Sequence, residues 1–238
     1  MRGAPQKMYS LKILDPSTVL SDWLLTAFTA WLAWRLLRQA MRVDDRAIRL
    51  WFWAFCAVAL AAGLSGAWHA FAGNVDATLA PLLWTFSLVL ASAAGLLFLL
   101  STLRVYVRGR ALGMLAGLAV AKFALFAIYV ALKDDFRMLV YDSALTLLIV
   151  LGFSAWGAWA RRVPGAAWVV AGVLVCVLGA FFQGGRVSIH RQLSYNELWH
   201  LLQMGAMYLL FRGGLLLREQ GTAPDFENTQ PLPFAGKE

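Results

Sequence analysis

Residues 77–103, ATLAPLLWTFSLVLASAAGLLFLLSTL, run through 27 positions without a charged side chain. A helix climbs 1.5 Å per residue, so about 20 such residues cross the roughly 30 Å of hydrocarbon in a bilayer. Lipid offers a backbone no hydrogen bonds, and a helix supplies them from within the segment. This stretch reads as a membrane span from about Ala77 to Leu103.

The same pattern recurs on both sides. Before it lie runs from about Val19 to Leu37, after the turn signal Asp15-Pro16-Ser17, and from about Leu50 to Ala72. After it come Ala111–Leu132, Met138–Ala160, Val163–Gly185 (opened by Pro164, closed by Gly184-Gly185) and Asn196–Leu217. The expected fold is all-α, a polytopic membrane protein with a seven-transmembrane-helix bundle as a single domain over residues 1–217. Residues 218–238 carry three Pro and scattered charges and read as a disordered tail. The first 17 or so residues are polar and mixed, with no apolar leader core.

Composition agrees. The chain of 238 residues is 61% apolar and 14% charged, where soluble domains carry about 25% charge. With a mean hydropathy of +0.65, it is too short to hide that surface in a water-soluble core. Eleven Trp suit helix ends placed at two membrane interfaces. The net charge of +8 raises the question of nucleic acid. The Arg residues sit between apolar runs, however, so the bilayer is the expected partner and nucleic acid is not. Cys56 and Cys176 lie inside apolar runs without a CxxC pattern and read as small core residues.

Loop charge sets the expected orientation. Arg35, Arg38, Arg42, Arg46 and Arg49 follow the first run, Arg104, Arg108 and Arg110 the third, Arg161 and Arg162 the fifth. The alternate loops hold Lys133, Arg137, Arg186 and Arg191. Ten against four places the N-terminus outside and the C-terminus in the cytoplasm, in a bacterium across the inner membrane. The basic N-terminal segment, with Arg2, Lys7 and Lys12, points the other way.

Ionisable groups within a span cost roughly 2.5–3.5 kcal/mol each at a helix centre on insertion scales. They are few here: Asp22, His69, Lys122, Asp142 and His200. Odd and even spans run in opposite directions, so Asp22, His69, Asp142 and His200 all fall near one face, the expected exoplasmic one. Lys122 sits deeper, where it either snorkels or pairs with an acid. Ser65 and His69 share a helical face one turn apart, as do Asn196 and His200, with Gln203 on the same stripe. Asp22, Thr26 and Thr29 form a third stripe. All three are expected to face the bundle interior.

Two His from different helices with a carboxylate and water can hold Zn2+, whose bound water ionises near neutral pH. His69 and His200 are then the metal ligands. Asp142, Asp22 or Asp76 supplies a third ligand or the base, and Ser65 orients water or an oxyanion. His190 is either an exposed loop residue or a third ligand. Each also has a structural explanation: Ser194-x-x-Glu197 fits a capping box, Asp22 fits the first turns of its helix, and Asp76 fits a solvated loop.

Ser-x3-His late in the second span and His early in the seventh resemble the superfamily of alkaline ceramidases and progestin/adiponectin-type receptors. Proteins of that superfamily carry Ser-x3-His on the second core helix, Asp on the third and His-x3-His on the seventh, and bind Zn2+ for lipid-amide hydrolysis. Ser65 and His69 match the first motif and His200 the second His of the last. Asn196 stands where the family has the other His, and Asp76 precedes the third span instead of lying within it. The chain is similar in kind to uncharacterised bacterial seven-helix members. The resemblance implies a zinc-dependent hydrolase acting on a lipid amide or ester. The residues alone leave two alternatives: a non-catalytic sensor, scaffold or small-ligand carrier, and a haem protein with His69 and His200 as axial ligands. No Walker motif, dinucleotide fingerprint or HExxH occurs.

Overall fold

The computed structural model describes residues 13, 15–133, 135–190 and 193–219. These residues form an all-helical bundle: α1 (Pro16–Val43), α2 (Arg46–Phe71), α3 (Leu79–Tyr106), α4 (Gly109–Lys133), α5 (Phe136–Trp159), α6 (Ala166–Gly184) and α7 (Tyr195–Leu216). Each expected span corresponds to one helix. Five of them, α2 to α6, are long and apolar enough to cross a membrane. The terminal pair is more polar, with Asp22, Arg35, Arg38 and Arg42 in α1 and Glu197, His200, Gln203 and Arg212 in α7. The basic residues Arg2, Lys7, Lys12 and Arg191 and the expected tail from residue 220 onward lie outside the described residues.

The helix ends follow from local chemistry. Pro16 opens α1, and the Asp15 carboxylate accepts the Thr18 N–H at 3.4 Å. Asp45 caps α2 by accepting the Ile48 N–H at 3.1 Å. Only Asp44 and Asp45 separate α1 from α2, with Asp44 in the left-handed region at φ 45°. These caps lie among polar residues, so α1 runs six residues past the expected Leu37. At α6 the difference reverses. Pro164-Gly165 makes a turn, and the helix starts at Ala166. The Ser194–Glu197 capping box that opens α7 is present in both directions.

α1 packs on α2 and α7, α2 on α3, α3 on α5, α5 on α6, and α6 on α7, which closes a ring of six helices. α4 stands outside this ring against α3 and α5; its buried residues are Ala119, Phe126 and Val130. At the end of the ring carrying the α1–α2 turn, Leu32, Leu36, Ile48, Trp51, Phe55, Phe98, Leu103, Met207 and Phe211 fill the core. In lipid, association of this kind comes from close packing more than from release of water. Trp51 lies flat enough against α7 that a Cβ on Gly214 would come 2.9 Å from its ring.

Gly165 has φ 87°, and a Cβ there would meet the Gly213 carbonyl oxygen at 2.6 Å. Both the left-handed backbone and the contact exclude a side chain. Gly165→Ala is expected to destabilise the α6–α7 pair by at least about 1 kcal/mol, read as a lower midpoint of thermal unfolding in detergent. An unchanged midpoint would show that the turn is not under this constraint.

Candidate functional site

Asp22, one turn and a half into α1, is 1% exposed. Its position in the angle between α2 and α7 gives each carboxylate oxygen a different helix to meet. Oδ1 lies 3.2 Å from His200 Nε2 on α7, and Oδ2 accepts from Ser65 Oγ on α2 at 3.2 Å. On its other side, His200 Nδ1 is 2.8 Å from Ser21 Oγ. The Ser21 hydroxyl donates its single proton to the Thr18 carbonyl at 2.9 Å. Toward His200 it therefore accepts, which places a proton on Nδ1. A hydrogen bond between Nε2 and a carboxylate then needs one further proton, held by Asp22 or by the imidazole. With Nδ1 protonated, the pair is a carboxylate–imidazole dyad that one shared proton would bridge.

Next to it, the Thr18 hydroxyl lies 2.7 Å from Glu197 and 2.8 Å from Asp15. Glu197 also accepts the Ser194 N–H at 2.7 Å, so it serves the start of α7. His69, half-buried, stacks edge-on against Trp68 at 5.0 Å and stands within electrostatic range of His200, Glu197 and Asp15. Asn196 accepts from Gln183 Nε2 of α6 at 3.3 Å. The polar stripes face inward as expected: Asp22 and Thr29 are buried, and Thr26 donates to the Asp22 carbonyl at 2.9 Å.

The dyad opens onto a cavity of about 250 Å³. Asp22, Ser65, His200 and Gln203 form its polar end, and all six ring helices contribute to its wall. The lining runs from Ser65 to Trp51 on α2, Trp84 to Phe98 on α3 and Phe136 to Val150 on α5. Fourteen residues separate each of these pairs, about 21 Å of helix. That exceeds the roughly 15 Å of hydrocarbon in one leaflet. Away from the dyad the wall is mostly apolar, with Val58, Ala94, Phe98, Leu147, Val173 and Leu210, and Ser87, Ser143 and Thr146 add hydroxyls on α3 and α5. Trp51 Nε1 has no acceptor there, and its ring meets Phe98 edge-on at 4.7 Å.

Asp142 belongs to a different cluster. Its carboxylate is bonded to the Lys122 ammonium and accepts from Ser92 Oγ of α3 at 2.7 Å. The same ammonium donates to Thr146 Oγ1 at 2.9 Å and to the Asp142 carbonyl at 3.3 Å. Lys122 thus pairs instead of snorkelling, and Asp142 is bound up in tying α4 to α3 and α5. Asp76 is likewise committed. It accepts the Thr78 and Leu79 N–H groups at 2.8 Å each at the start of α3, and these bonds hold its carboxyl below the usual carboxylate range. His190 pairs with Leu193 in an isolated bridge of the α6–α7 connection. Of the residues singled out from the sequence, the structure joins Asp22, Ser65 and His200, leaves His69 beside them, and sets Asp142 apart. Ser21, Ser92 and Thr146 were not anticipated.

The donors fit zinc only in part. The 3.2 Å between Asp22 Oδ1 and His200 Nε2 is close to the edge of about 3.3 Å in a tetrahedral zinc site. Among the described residues, however, no three His, Cys, Asp or Glu side chains stand close enough to share one metal ion. His200 has both ring nitrogens engaged within the protein.

Removing one partner of a buried ion pair strands the other, at a cost of about 3–5 kcal/mol. Lys122→Met is expected to lower stability by that order, and Lys122→Met with Asp142→Leu to recover most of it, measured by thermal unfolding in detergent. A double variant no better than the single one would show that the pair is not what holds α4.

No curated protein and no solved structure matches this chain. Residues 17–219, nearly the whole of the helical bundle, match a family of unknown function (DUF6962), and the chain belongs to that family.

Proposed function

We propose that the protein is a seven-span membrane hydrolase that draws a lipid-like amide or ester into the ring. α1 and α7 complete the set of spans begun by the five apolar helices, because both line the same ring and their Asp22, His200 and Gln203 face its cavity. The arginine-rich end faces the cytoplasm, with the N-terminus outside. One observation carries the functional reading: the Asp22–His200 dyad, with Ser65 bonded to it, at the polar end of a long, mostly apolar cavity.

An amphiphile would place its polar group against Asp22, Ser65 and His200 and its chain along the apolar wall toward Trp51 and Phe98. Ser65 donates to Asp22, so its lone pairs are available to orient a water. In hydrolysis the water oxygen bonds to the acyl carbon while the bond from that carbon to nitrogen or oxygen breaks. The dyad gives its proton to the departing amine or alkoxide and regains one from the attacking water. It ends in the protonation state in which it began. Proton transfer by a placed side chain contributes about 10²–10⁴-fold.

A second reading, a non-catalytic carrier or sensor, is favoured by the same bonds that hold both nitrogens of His200. One experiment separates the two. Purified protein in a neutral detergent is given an N-acyl sphingosine and a monoacylglycerol, each with a 16-carbon chain, and free fatty acid and bound lipid are measured. Release of fatty acid, reduced at least about 100-fold in His200→Ala and Asp22→Asn, supports the hydrolase. Retained lipid without release, lost in the same variants, supports the carrier. Neither release nor retention would overturn both.

A further inference from the structure

The end of the bundle away from the dyad carries a second feature. Twelve Arg lie there: Arg35, Arg38 and Arg42 late in α1, Arg46 and Arg49 early in α2, Arg104, Arg108 and Arg110 between α3 and α4, Arg161 and Arg162 after α5, and Arg212 and Arg218 at the end of α7. Among the described residues of this end the acids are Asp44, Asp45 and Glu219, and all three are committed. Asp44 pairs with Arg49 at 3.0 Å, Glu219 with Arg104 at 3.0 Å, and Asp45 accepts the N–H groups of Ile48 and Glu219. Among the described residues of this end, positive charge is in surplus.

Four of these arginines lie over tryptophan faces. Arg35 covers Trp31 at 5.4 Å, Arg38 Trp34 at 5.1 Å, Arg161 Trp156 at 4.4 Å and Arg212 Trp168 at 4.7 Å. Trp rings settle at the headgroup level of a bilayer. A guanidinium held over such a ring is fixed at the same depth, while its N–H edge stays open for the fork geometry that fits phosphate. On α1 the spacing places Trp31, Arg35, Arg38 and Arg42 along one outward stripe, opposite the buried Leu32, Leu36 and Ala40.

We propose that this face is a binding surface for anionic phospholipid headgroups, with the α1 stripe as its principal site. The surface rests on the membrane placement of the bundle and is independent of the chemistry of the cavity. Phosphatidylcholine shares the phosphate but has no net charge, and phosphatidylglycerol has both phosphate and net charge. The α1 stripe would therefore distinguish the two.

Native mass spectrometry of the protein in neutral detergent, titrated with phosphatidylglycerol or phosphatidylcholine of identical chains, tests this. Phosphatidylglycerol is expected to bind more tightly by on the order of 100-fold, about 5-fold for each of three charges. Arg35→Gln, Arg38→Gln and Arg42→Gln together are expected to bring it down to the phosphatidylcholine level. Lys133→Gln with Arg137→Gln, at the opposite end, is expected to leave the preference intact. Helical content and elution volume check folding of the triple variant, and Arg161→Gln with Arg162→Gln, expected to weaken the preference in part, takes its place if it does not fold. Equal binding of the two lipids, or a preference that survives both sets of arginine variants, would overturn the proposal. So would phosphate ion that displaces phosphatidylglycerol at equal concentration, since that behaviour belongs to an inorganic anion site.

Discussion

The carboxylate of Asp22 is bonded on both oxygens, and each bond leads to a different neighbouring helix. Loss of either bond would leave a buried carboxylate oxygen without that partner. α1 is therefore fixed in rotation and in depth against α2 and α7 at once. The ring of helices closes around that fixed point, and the cavity exists because the ring closes. A carboxylate that would be costly alone becomes the common reference for three helices.

The second polar cluster obeys the same constraint with a different outcome. Lys122 spends its donors on the Asp142 carboxylate, the Asp142 carbonyl and Thr146, and Ser92 covers the other Asp142 oxygen. Nothing is held back for a ligand. The dyad differs because Ser65 keeps lone pairs and the Asp22–His200 contact borders an open space. Polarity within the bundle thus divides into one cluster that ties α4 to α3 and α5 and reaches the cavity wall through Thr146, and one that forms the cavity's polar end.

Much of this was legible in the sequence. The long apolar runs named every helix, and Ser194-x-x-Glu197 named the cap of α7. The alternation of span direction put Asp22, His69 and His200 at one end. The order of helices around the ring was not legible: α4 is apolar on all sides, so no stripe says that it stands outside. The partner of Lys122 was hidden because the two helix positions differ in depth, and the length of the lysine side chain makes up the difference. Ser21 escaped notice for a related reason. Neighbours in sequence on a helix do not share a face, yet α1 sits in a corner between two helices, so Ser21 and Asp22 approach the same imidazole from both sides. Asn196 marked a departure from the pattern the sequence resembles, and it accepts a hydrogen bond from Gln183.

The dyad joins the first helix to the last, residue 22 to residue 200. During synthesis the first six helices emerge while Asp22 still lacks His200, its partner on α7. Only the arrival of α7 supplies it, and the same arrival closes the wall of the cavity. A chain interrupted anywhere upstream of the final helix keeps most of its apolar mass and has neither enclosure nor dyad. Completeness of translation and competence of the site are, in this topology, a single event.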